Sequence, residues 1–64
     1  MPVINVSLHK VNEETKKSLI GELTRVAAEI VKVPVERFTV LIDEFDDENI
    51  GSAGKTLKEI KSSR

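Results

Sequence analysis

Apolar and polar residues alternate over residues 3–8, with Ile4, Val6 and Leu8 on one side and Asn5 and Ser7 on the other. This is the period of a strand with one buried face. Val3 falls on the side of Asn5 and Ser7, so the second face is mixed rather than polar. Pro2 precedes the run, where its missing N–H costs a ladder little. After the link His9-Lys10-Val11 the spacing changes to three and four. Leu19, Ile20, Leu23, Val26, Ala27, Ile30 and Val31 form one stripe, and Lys16, Lys17, Glu22, Arg25, Glu29 and Lys32 fill the other positions. The pattern predicts an amphipathic helix over Glu13–Val31, of about five turns. Asn12 is suited to cap its free amides, and Glu13 and Glu14 suit the positive end of its dipole. Gly21 inside the helix costs about 1 kcal/mol relative to Ala and leaves room for another backbone to approach. Pro34 restricts Val33 away from helical geometry and so ends the helix.

A second strand is predicted over residues 37–44, which are rich in β-branched and aromatic side chains. Phe38, Val40 and Ile42 take one face, and Arg37, Thr39, Leu41 and Asp43 take the other. Strand, helix and strand make a βαβ unit, which favours parallel pairing and a right-handed crossover. The helix can cover the face carrying Ile4, Val6, Leu8, Phe38, Val40 and Ile42. Nothing in the chain remains to cover the other, and a two-stranded sheet with a bare face is not a stable end point. Beyond it, residues 45–49 read as an acidic turn, the small residues of 50–54 as a short hairpin, and Leu57 and Ile60 as one side of a helical turn over 56–61. Ser62, Ser63 and Arg64 are expected to fray. The fold class expected is α+β: one small domain over residues 1–64, a β-α-β unit with parallel strands and a short C-terminal hairpin, assembling as an oligomer.

Composition sharpens the oligomer expectation. A chain of 64 residues lies near the lower limit for an unaided core. With no cysteine and one histidine, disulfides and a zinc staple are out of reach, and self-association remains. Ten basic and eleven acidic residues are interspersed, which argues against nucleic acid as a partner. Two phenylalanines, Phe38 and Phe45, are the only aromatic residues, too few for a base-stacking platform. The apolar runs fall short of the roughly 20 residues of a membrane span, and no leader pattern precedes them. The location expected is the cytoplasm, with no membrane partner.

Three motifs have bland readings. Gly54-Lys55-Thr56 ends like a phosphate-binding loop, but Asn49 stands where that motif needs its first glycine. The acids Asp43, Glu44, Asp46, Asp47 and Glu48 lack the ligand spacing of a calcium loop and read as a solvated turn. His9 is either a surface loop residue or a group that helps bind or protonate a substrate. Neither a metal nor a cofactor is expected. Pro2 is different: removal of Met1 would turn its ring nitrogen into a free secondary amine at the entrance of a strand.

In the order of its elements the chain resembles the 4-oxalocrotonate tautomerase family, over the opening Pro2-Val3-Ile4-Asn5-Val6, the long helix after Asn12, the strand Val40-Leu41-Ile42-Asp43-Glu44 and the turn Ile50-Gly51-Ser52-Ala53-Gly54. The resemblance implies a hexamer, usually a trimer of dimers. It also implies that an amino-terminal proline, here Pro2, shuttles a proton as general base then acid in the ketonisation of a small 2-hydroxy-enoic or 2-keto acid. Desolvation and nearby cations lower the amine's pKa toward working pH, and the same cations hold the substrate carboxylate. The family's two arginines and its phenylalanine fall near Val11, at Thr39 and at Ile50, so none is retained here. Lys10 and Arg37 are the expected substitutes, giving a substrate-binding set of Lys10, Arg37, Thr39 and Ile50. Two other readings accompany this one: hydration or dehalogenation of an unsaturated acid through a more acidic Pro2, and a non-enzymatic oligomeric scaffold that has lost the clamp.

Overall fold

The computed structural model describes residues 1–62. Strand β1, Val3–His9, and strand β2, Thr39–Phe45, pair in parallel, with Val3 opposite Thr39 and His9 opposite Phe45. Helix α1, Glu13–Val31, connects them. Its bounds are those the periodicity predicts. Asn12 caps it by accepting a hydrogen bond from the Thr15 N–H at 2.8 Å. At the other end Lys32 adopts left-handed geometry, φ 61°, and donates its N–H to the Ala28 carbonyl.

The second strand starts later than the sequence suggests. Val35–Arg37 forms a 3₁₀ turn in which the N–H of Arg37 bonds to the Pro34 carbonyl and that of Phe38 to Val35. Those amides are spent locally and cannot join the ladder, so Arg37 lies on a turn and not on the strand face expected for it. β2 in turn runs one residue further, to Phe45. The acidic stretch divides likewise. Asp43 and Glu44 belong to β2, and only Asp47–Asn49 forms a 3₁₀ turn. Glu44 is half-buried and points from the helix side of the sheet, a correction to its reading as part of a solvated turn.

The C-terminal hairpin is present with its turn further along the chain. Strands β3, Gly51–Ser52, and β4, Lys55–Thr56, pair antiparallel around Ala53 and Gly54, both at positive φ. Helix α2, Leu57–Ser62, follows. Thr56 and Glu59 make a reciprocal capping box at its start, with the Thr56 N–H reaching Glu59 Oε1 at 3.0 Å and the Glu59 N–H reaching Thr56 Oγ1 at 3.1 Å. Gly54-Lys55-Thr56 thus serves a turn, a strand and a cap. Of the three residues expected to fray, Ser62 closes α2, and Ser63 and Arg64 lie outside the described residues.

Ile4, Val6, Leu8, Val40 and Ile42 face α1 and are half-buried, while Val3, Asn5, Ser7, Thr39, Leu41 and Asp43 are exposed. Among the described residues none is fully buried. The chain on its own exposes 5131 Å², against roughly 4,100 Å² for a compact monomer of this size. Its radius of gyration is 15.1 Å, against roughly 11 Å for a compact chain. The outer face of the β1–β2 sheet is exposed, and among the described residues no buried core forms. Among the described residues no helix is long and apolar enough to cross a membrane.

Candidate active site

Pro2 stands at the head of the ladder. Its carbonyl accepts the N–H of Thr39 at 3.1 Å, and its side chain is half-buried while Met1 ahead of it is almost fully exposed. A proline fits here because the position needs an acceptor and no donor. With Met1 in place the ring nitrogen is an amide, without basicity; with Met1 removed it is a secondary amine tied by its own carbonyl to the second strand. Thr39 is the neighbour of this end. Arg37 lies two residues before Thr39, exposed on the 3₁₀ turn.

Lys10 and Ile50 are placed elsewhere. At about 3.3 Å per residue, the strand puts His9 roughly 23 Å from Pro2, with Lys10 beyond it. Ile50 lies past the far end of β2, where its carbonyl accepts the Leu57 N–H at 2.7 Å. The five residues expected to share one site therefore form two groups, Pro2 with Thr39 and Arg37 at the start of the strands, and Lys10 and Ile50 at their finish. Parallel pairing produces this split, because equivalent ends of β1 and β2 lie side by side.

At the finishing end, a groove of about 410 Å³ is lined by His9, Lys10, Phe45, residues 46–48, and Lys58 and Lys61. Two of its three lysines are met by acids: Lys10 Nζ lies 3.3 Å from Asp46 Oδ1, and Lys61 Nζ 3.1 Å from Asp47 Oδ2. Exposed pairs of this kind are worth about 0–1 kcal/mol, too little to lock either ammonium in place. Among the described residues no group of three His, Asp or Glu side chains is placed to hold a metal ion.

A further feature escaped the sequence reading. Glu44 follows Val40 and Ile42 on the helix-facing side of β2, accepting the Val11 N–H at 3.0 Å and the Lys16 ammonium at 2.9 Å. Its carboxyl is held below the usual range, first by the Lys16 hydrogen bond and next by the Val11 amide. The signal was a charge at an apolar phase of the strand. It was hidden because Glu44 also belongs to a run of acids.

The sequence profile of the tautomerase enzyme family matches residues 2–60. A probable tautomerase of Campylobacter jejuni is 28% identical over 97% of this chain and 94% of its own. TomN, a 4-oxalocrotonate tautomerase homologue of the tomaymycin biosynthetic pathway, superposes with a TM-score of 0.92 at 27% identity, over 95% of each chain. DmpI from Archaeoglobus fulgidus gives a TM-score of 0.83 at 37% identity, over 89% of this chain and 98% of that one. Such agreement decides for an enzyme over the scaffold alternative. With its parallel β-α-β unit and C-terminal hairpin, the chain belongs to the tautomerase enzyme family and is a 4-oxalocrotonate tautomerase-like isomerase.

Proposed function

We propose that this enzyme ketonises small 2-hydroxy-enoic acids, or enolises the matching 2-keto acids, in the cytoplasm, with Pro2 as the proton carrier once Met1 is gone. The observation that carries this reading is the anchoring of Pro2: a half-buried proline, fixed through its carbonyl to Thr39, at the head of the sheet. The neutral amine takes the proton of the enol hydroxyl, and the oxygen's electron pair closes the C=O bond. The C=C electrons then take the proton back from the prolinium at carbon. The isomerisation is balanced without a redox partner. Arg37 beside this end disfavours the charged amine and meets the developing enolate.

The site is completed between copies. Pro2 and Lys10 of one chain are too far apart to hold one small acid, so Lys10 and Ile50 serve the Pro2 of a neighbour. Two uncovered apolar surfaces support association through more than one kind of contact: Val3, Leu41 and Phe45 on the outer sheet face, and Ile30, Val31 and Val35 where α1 ends. A hexamer built as a trimer of dimers satisfies both.

Ultraviolet absorbance during ketonisation of phenylenolpyruvate or 2-hydroxymuconate tests the reading, with intact mass to establish loss of Met1. Pro2→Ala is expected to lower kcat by roughly 10²–10⁴. Unchanged turnover in that variant sinks the role of Pro2. A neutral-amine base loses activity as pH falls, whereas the more acidic Pro2 of a hydratase loses it as pH rises.

A further inference from the structure

We infer that Glu44 is a positioning residue that sets the β1–α1 loop, and with it Lys10, for binding the substrate carboxylate. The inference rests on the reading of Lys10 given above. Its physical basis is independent of that reading. β2 presents Val40, Ile42 and Glu44 in turn toward α1, and a carboxylate at such a position is costly unless both oxygens are satisfied. Both are: Oε2 accepts the Val11 N–H at 3.0 Å and Oε1 the Lys16 ammonium at 2.9 Å. These partners come from the loop and from the start of α1, so one side chain ties three segments together at the finishing end of the sheet.

Val11 is the residue after Lys10 and precedes the helix cap Asn12. With the Val11 amide held by Glu44 and the Asn12 side chain held by the Thr15 amide, the backbone that carries Lys10 is restrained from its C-terminal side. β1 restrains it from the other side as far as His9. What remains free is the Lys10 side chain, resting on Asp46 at 3.3 Å. Lys10 is thus a flexible cation on a fixed base, and Glu44 is what fixes the base. A point-charge ligand gains affinity mainly by being held in place beforehand.

The experiment compares Glu44→Ala, Glu44→Gln and Lys10→Ala in ketonisation of 2-hydroxymuconate, alongside hydrogen exchange at the Val11 amide. Glu44→Ala is expected to raise KM roughly tenfold with kcat within about twofold, and to speed Val11 exchange by at least roughly tenfold. Glu44→Gln keeps an acceptor for Val11 and should restore KM to within about threefold. Where Glu44→Ala fails to fold, Glu44→Asp substitutes for it. It keeps the charge, withdraws the carboxylate by about 1.5 Å, and is expected to raise KM at unchanged kcat. Normal Val11 exchange in the Ala or Asp variant overturns the tether. Faster exchange with unchanged KM, while Lys10→Ala raises KM, overturns the positioning role. An unchanged KM in Lys10→Ala overturns the reading of Lys10, an outcome told apart because the exchange at Val11 still reports the tether.

Discussion

The two ends of the parallel sheet are built differently. The starting end is held by backbone: the Thr39 N–H on the Pro2 carbonyl, with no ion pair at Pro2, Thr39 or Arg37 among those described. The finishing end is held by charge, through Lys10 with Asp46, Lys16 and Val11 with Glu44, and Lys61 with Asp47. One end carries Pro2 and Thr39 with Arg37 two residues away, a cation that would disfavour a charged amine there. The other carries the cations Lys10, Lys58 and Lys61 around an open groove. A parallel pair keeps the two apart by the length of a strand, and in the function proposed above association brings them together.

Co-assembly of Pro2→Ala with Lys10→Ala chains is the sharpest way to break this comparison. Each variant alone lacks one half of every site. In a randomly mixed oligomer of equal parts, about a quarter of the sites regain an intact Pro2 and an intact Lys10 if those come from different copies. At substrate well below KM, specific activity should then rise to roughly a quarter of the wild-type value, several-fold above the mean of the two parents. With Lys10→Ala alone impaired, activity equal to that mean after mixing and reassembly rules out a site shared between copies.

Much of this organisation was legible in the sequence, and the failures have definite causes. Helix α1 is legible to both ends because its signals are local, the Asn12 cap and the restriction that Pro34 places on Val33. The start of β2 was missed because Pro34 sets a 3₁₀ turn whose hydrogen bonds leave no mark on the alternation, so Arg37 was placed on the strand face. Lys10 is grouped with Arg37 and Thr39 in the sequence, and within one chain they lie apart. Resemblance names the members of a site without saying which copy supplies each, and only the register of β1 with β2 shows that they lie at opposite ends. Glu44 was hidden by composition, one acid among five.

The charged end should lose stability at low pH. The Glu44 carboxyl is lowered from its ordinary 4.5 by Lys16 and by the Val11 amide. A depressed carboxyl contributes stability that is present above its unfolded value and is lost as pH falls through its folded value. Thermal melts should therefore fall in Tm as pH drops below about 4.5. In Glu44→Gln the fall should be shallower, and the remaining slope belongs in part to Glu59, which Thr56 lowers in the same way. Parallel Tm–pH curves for the two proteins would show that the pair with Lys16 does not hold this end together.

The smallest effect expected separates both ends from the helix that joins them. Gly21 lies mid-way along α1, and a Cβ built there meets nothing within 4 Å. Within one chain the residue thus carries only the entropic cost of glycine in a helix, and Gly21→Ala should stabilise by about 1 kcal/mol. For a domain of this size that corresponds to a rise in Tm of roughly 4–8 °C. Because the change touches neither the Pro2 end nor the Glu44 tether, kcat and KM for 2-hydroxymuconate should stay within about twofold. A lower Tm with a smaller assembly, measured by light scattering, carries the opposite meaning. The space above Gly21 is then filled by the backbone of another copy, and α1 takes part in the contacts that bring the two ends together.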